Sequence, residues 1–469
     1  MVEITSTREW KGAAGSVVSW APTPASRAAL DSAPLSEVPA SHQQEQHLRS
    51  FREHAYAGLE MERLLVLGWD VPGRCDVRAM THVINGHLRR HDTYGSWFAF
   101  DDDDQVVRRA VADSADIVLA PEQLGLMEPE RWREQVLHVA GPLQWDCFGF
   151  TVVQRPDHFS LYVSIDHLHL DAMFVVLLFV EIQHAYAALV DGRAPLRLPE
   201  AGSYLDYCVR QRAYSSRLTL DDPEVAGWLD FLRANGGTLP QFPLPLGDSA
   251  TTCLGDLVTV TLMDAHETDR FESACMSVGS RFLGGVLACA AITEHELAGT
   301  ESYNVITPTT TRTTPADFTT TGWFTGVVPI SIPVAGRTFA DIAVDAQYCF
   351  DRRLLLAHVP VELALALAGS VSGIRPPEPG VPMLSYLDTG LPPLTPATLA
   401  EWRAHQGRLY LNRGVAKQIG MWVTRTDTGT TLTVAFPDNA EAGASVAKYT
   451  RGMVEVCRRV VAATSGGRA

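Results

Sequence analysis

The stretch Asp166-His167-Leu168-His169-Leu170-Asp171-Ala172 gathers two imidazoles and two carboxylates within a few residues. An unperturbed imidazole titrates near about pH 6.5, so a histidine in a site is largely neutral and basic at working pH. That suits a general base, which takes the proton of a hydroxyl or amine as the group attacks an electrophile. The same residue types allow two other readings. His167, His169 and an acid could hold a metal ion, with a third ligand that the sequence does not locate. Alternatively, the run is a turn in which histidine and aspartate satisfy one another structurally. H-x-x-x-D spacing alone does not choose among the three. No G-x-S-x-G elbow and no G-x-x-x-x-G-K-[ST] loop occurs, so hydrolase-triad, nucleotide and nicotinamide chemistry have no motif to rest on. With no evident nucleophile beside His167, the base reading fits direct transfer: an acceptor gives its proton to His167 while attacking an activated acyl group.

The flanking residues say how this run is positioned. Phe159, Leu161, Val163 and Ile165 alternate with Ser160, Tyr162, Ser164 and Asp166, the pattern of a half-buried strand. From Asp171 onward Met173, Val176, Leu177, Val180 and His184 recur at helical spacing, with Asp171 as the N-terminal cap. His167 and His169 are thus predicted in a turn between two apolar elements, where an unpaired titratable group is costly. His169 reads as a structural hydrogen-bonding group, His91 as a capping or packing group, and His184 as a core histidine.

Strands and helices are mixed in both halves of the chain, which predicts two α/β lobes. Pro- and Gly-rich punctuation at 191–204 and 235–248 marks a crossover between them. The division is placed at 1–215 for an N-terminal lobe carrying the HxxxD site and 216–469 for a C-terminal lobe. The chain has 469 residues, 46% hydrophobic and 20% charged, with a net charge of -16. That composition is globular, and the acidic surface disfavours binding to nucleic acid. The longest uncharged apolar run, Ala172 to Val180, stops at Glu181, too short to span a bilayer. The cysteines are scattered without a C-x-x-C pair, so they read as buried free thiols in a reducing compartment. The N-terminal residues lack a basic and then apolar leader, so export is not expected.

Asp166–Ala172 resembles the HHxxxDG motif of condensation-type acyltransferases, the superfamily of chloramphenicol acetyltransferase and nonribosomal peptide condensation domains. Supporting segments lie in order along the chain: 87–98, HLRRHDTYGSWF, 141–150, GPLQWDCFGF, and 311–334, TRTTPADFTTTGWFTGVVPISIPV. Residues 202–211, 242–248 and 436–442 are similar more narrowly to the mycobacterial polyketide-associated acyltransferases that decorate trehalose. The resemblance implies two chloramphenicol-acetyltransferase-like lobes with a substrate tunnel between them. His167 would be the catalytic base, and Asp171 a structural aspartate paired with Arg312 of the second lobe. Gly322 and Trp323 match the end of an Asp-Phe-Gly-Trp motif and would shape the tunnel or a lobe contact. Two positions depart from the pattern: Asp166 replaces the first histidine and Ala172 the final glycine, both candidates to touch the tunnel or substrate.

The implied activity is O-acyl transfer of a long fatty or polyketide chain to a hydroxyl of trehalose or a trehalose derivative. The donor would be acyl-CoA or an acyl chain on a polyketide synthase. No cofactor and no metal is expected. The protein is expected to be a cytoplasmic monomer, with peripheral association at the inner face of the plasma membrane. The competing reading is a non-catalytic condensation-like module that docks a polyketide synthase or carrier protein.

Overall fold

The computed structural model describes residues 4–171, 174–194, 197–369, 373–389 and 395–463. The first lobe is built on a seven-stranded sheet. Its strands lie in the order Ile4–Ser6, Arg408–Leu411, Leu64–Pro72, His158–Asp166, Phe148–Gln154, Gly15–Pro22 and Leu119–Met127. His158–Asp166 is the middle strand, antiparallel to both neighbours, and its last residue pairs with Leu64. The turn after Asp166 therefore leaves from the centre of the sheet. Phe159, Leu161, Val163 and Ile165 form a core with residues of helices Val77–Arg90 and Phe174–Val190. The strand was expected to be half-buried, yet its other face is covered too. Tyr162 stacks on Trp132, with ring centroids 5.3 Å apart, and Trp10 packs against both. That aromatic layer comes from distant sequence, beyond the reach of a period-two pattern.

The second lobe carries a six-stranded sheet in the order Gly255–Asp264, Gly429–Pro437, Ile419–Thr426, Pro382–Asp388, Ser302–Thr310 and Thr325–Pro333. Helices Ala265–Ser277, Phe282–Ala298 and Ala440–Ala463 supply Phe271, Leu287 and Tyr449 to its core. The first of these helices starts at a reciprocal cap between Asp264 and Glu267. A small sheet of Leu35–Ser36, Val106–Ala110 and Ser96–Phe100 lies apart from both. The mixed α/β character is as the sequence predicts, and all eight cysteines are free.

A division at 215/216 does not separate the two sheets. Strand Arg408–Leu411, from the C-terminal half, inserts between Ile4–Ser6 and Leu64–Pro72. Helix Pro396–Ala404 comes back with it and packs on helix Phe174–Val190, bringing Glu401 Oε2 to 2.7 Å from His184 Nε2. His184 is thus a partly exposed residue in hydrogen-bond contact with Glu401, and not the core histidine its spacing predicted. Among the described residues no single helix is long and apolar enough to cross a membrane.

Candidate active site

His167 opens a short 3-10 turn, His167–His169, held by its neighbours in sequence and space. Its backbone N–H donates to the Arg63 carbonyl at 2.8 Å, extending the ladder by one rung. The Asp166 side chain accepts from the Leu168 N–H at 3.0 Å, capping the turn from below. The His167 ring lies against the Trp323 indole, centroids 4.1 Å apart, and Nδ1 is buried with no hydrogen-bond partner among the described residues. Nε2 is not among the enclosed, partnerless atoms, and the residue as a whole is only partly buried. Burial, reinforced by nearby His47, pulls the His167 pKa down to about 4, so the ring is neutral and ready to accept a proton.

His167 lines a cavity of about 570 Å³ between the two sheets. Leu65, Leu409 and Leu411 come from the first sheet, and Met383, Ile419 and Trp422 from the second. The wall is predominantly apolar and suits a hydrocarbon chain. A neutral imidazole at the edge of an apolar cavity can deprotonate a hydroxyl beside a bound acyl group.

Asp166 was expected to touch the tunnel; the structure corrects this. It is wholly buried and does not line the cavity. Oδ1 lies 2.7 Å from His47 Nε2, and Oδ2 accepts from Arg63 Nη1 at 2.8 Å. Burial opposes the charge, but His47 and Arg63 outweigh it and hold the carboxyl below its usual range. His47, on helix His42–Tyr56, also meets the edge of Trp323 at 5.6 Å. Sequence reading missed both partners of Asp166. The only available signal was the carboxylate itself: in a buried position it requires a cation, but nothing local says which one.

Asp171 pairs with Arg312, and both are buried. The Arg312 fork also donates to the carbonyls of Asp317 (2.9 Å) and Thr320 (3.1 Å), and its guanidinium stacks 4.3 Å above Phe324. The Phe324 N–H donates to the same Asp171 oxygen at 3.0 Å. The carboxylate is therefore a clasp between the His167 turn and the second-lobe loop that carries Trp323. The helix after it begins at Phe174, and Ala172, like any cap formed at 172–173, lies outside the described residues. Gly322 lies where a Cβ would fall 2.2 Å from the Tyr204 ring. Only glycine lets the Trp323 loop close onto helix Tyr204–Ser215. The Tyr204 hydroxyl in turn donates to the Trp323 carbonyl at 3.3 Å.

His169, His91 and His87 make structural contacts. Both nitrogens of His169 are taken, by Thr93 Oγ1 at 2.9 Å and Cys147 Sγ at 3.1 Å, so a metal site shared with His167 has no ligand there. His91 Nε2 lies 3.0 Å from Glu181 Oε2, while its Nδ1 accepts from the Thr321 N–H at 3.3 Å. His87 approaches the same Glu181 oxygen at 2.9 Å. This trio is the one group among the described residues with metal-ligand proximity. Arg90 Nε donates to the other Glu181 oxygen at 3.0 Å, and a cation already neutralises the carboxylate. The cluster ties helix Val77–Arg90 to helix Phe174–Val190 and the second lobe.

The fold and site define a class. Residues 69–363 match the condensation-domain family, and the chain belongs to that family, as one of its acyltransferases. It is 47% identical over 464 residues to trehalose-2-sulfate acyltransferase PapA2 of Mycobacterium tuberculosis, covering 99% of this chain and 98% of that one. It is likewise 47% identical over 468 residues to the 2'-acyl-2-O-sulfo-trehalose (hydroxy)phthioceranyltransferase PapA1 of the same species, covering 100% of this chain and 90% of that one. A solved PapA2 acyl transferase superposes with a TM-score of 0.93 at 46% identity, over 98% of this chain and 99% of that one. The first condensation domain of the calcium-dependent antibiotic synthetase, at 15% identity, shares the fold with a TM-score of 0.65 over 89% of this chain and 96% of that one.

Proposed function

We propose that this protein transfers an acyl group from a thioester to a hydroxyl of a trehalose derivative, with His167 as general base. The observation that carries the mechanism is the placement of a neutral imidazole on the edge of an apolar cavity between two lobes. The named activities of the full-length relatives support the acceptor class. In the proposed step the acceptor hydroxyl gives its proton to His167 Nε2 as its oxygen bonds to the thioester carbonyl. The tetrahedral adduct then collapses, the C–S bond breaks, and the departing thiolate takes the proton back from His167. No redox step occurs, so the scheme needs no cofactor. The apolar cavity supports a long-chain donor, carried by coenzyme A or by a synthase. A lipid product supports cytoplasmic work at the inner face of the plasma membrane.

The test is a mass-spectrometric transfer assay with palmitoyl-CoA and either trehalose or trehalose-2-sulfate, run beside His167→Ala. Acyl sugar formed by the wild type and reduced about 10²–10⁴-fold in the variant is expected. Equal product from His167→Ala would overturn the base. Palmitoyl-CoA bound by the wild type but transferred to no sugar would instead favour a docking module.

A further inference from the structure

Glu62 sits one residue before Arg63, whose carbonyl anchors the His167 backbone. While the Arg63 guanidinium turns to Asp166, the Glu62 side chain lines the same cavity as His167. Among the described residues its carboxyl has no hydrogen bond and no ion pair, and burial alone pushes it up to about 7. A carboxyl on an apolar wall with no partner is costly, and the fold shows no structural return for it. Gly255 borders the carboxyl closely: a Cβ there would stand 3.4 Å from Glu62 Oε2, in ordinary contact, and 3.3 Å from the Ala416 Cβ.

A saturated acyl chain offers a carboxyl nothing, and the phosphates of coenzyme A would be repelled. A sugar presents adjacent hydroxyls that can donate to both carboxyl oxygens at once. Resting on the reading that His167 deprotonates a sugar hydroxyl, we infer that Glu62 is an acceptor-binding residue: it hydrogen-bonds hydroxyls adjoining the one that is acylated and so holds that oxygen against His167.

The experiment compares wild type, Glu62→Gln and Glu62→Leu with palmitoyl-CoA and the sugar that the wild type acylates. Glu62→Leu is expected to raise the acceptor KM at least about tenfold while kcat falls less than about threefold, and Glu62→Gln to lie between. The Kd for palmitoyl-CoA should change less than about twofold. The melting temperature of Glu62→Leu should be equal to or above that of the wild type, because a half-buried carboxyl with no partner among the described residues is removed. A lowered melting temperature with an unchanged acceptor KM would make Glu62 structural and overturn the inference. A selective loss of palmitoyl-CoA affinity would overturn it in favour of the donor. If the wild type acylates no sugar, the underlying reading fails instead, and the two failures are distinct.

Discussion

Arg312 and Asp171 form a buried ion pair across the two lobes, and the Asp171 oxygen that accepts from the guanidinium also accepts from the Phe324 N–H. One carboxylate thus fixes the turn that carries His167 and the loop that carries Trp323. Removing either partner strands a buried charge, which costs about 3–5 kcal/mol. Asp171→Ala and Arg312→Ala should each lower thermal stability and lose activity with it. The double variant should cost less than the sum of the two, since neither charge is then left alone. Calorimetry on the four proteins measures the coupling. A fully stable, inactive Asp171→Ala would show instead that the aspartate acts in the chemistry.

His167→Ala removes a ring whose Nδ1 has no hydrogen-bond partner among the described residues. Its melting temperature should therefore stay near that of the wild type while turnover collapses. A cooperative thermal transition together with the lost rate separates this variant from Asp171→Ala.

Burial sets the pH dependence. With His167 held at about 4, kcat measured at saturating acceptor should be level from neutral pH down to about 5 and fall below that as the base is protonated. An acid limb centred at about 6.5 would contradict this. Stability behaves differently. His91, His167 and His169 are all pulled down to about 4, chiefly by burial. As pH falls, the unfolded chain takes up these protons first, so their contribution is intact above about 6.5 and is lost as pH drops toward 4. Melting temperatures across that window should decline before the activity does.

Asp166 sits between two hydrogen-bonding partners, the His47 imidazole and the Arg63 guanidinium. Asp166→Asn should destabilise the protein, and Asp166→His should do so more, by facing an imidazole with Arg63. Denaturant unfolding ranks the two, and pairing Asp166→His with Arg63→Met should recover part of the loss. An Asp166→His protein as stable as the wild type would remove Asp166 from the role of buried counter-ion.

Gly322→Ala should destabilise by about 1–3 kcal/mol through overpacking on Tyr204. Tyr204→Leu in the same protein should relieve part of the clash, measurable by the shift in melting midpoint.

The sequence by itself determined much of the local frame. The alternation over 158–166 and the helical spacing after Asp171 arise from periodicities of single elements, and they placed His167 in the turn between them. The two α/β lobes followed from strands and helices mixed in both halves, while the Arg312 partner of Asp171 came with the resemblance carried by motifs along the chain. Only the tertiary structure decided what surrounds these residues. His47 and Arg63 reach Asp166 from positions 119 and 103 residues away. Glu401 reaches His184 from 217 residues away, and strand Arg408–Leu411 enters a sheet whose other strands all precede residue 167. A local pattern states that a buried charge must be paired, because desolvation applies wherever the group is buried. It does not state the partner, because that depends on which distant segments the packed sheets bring together.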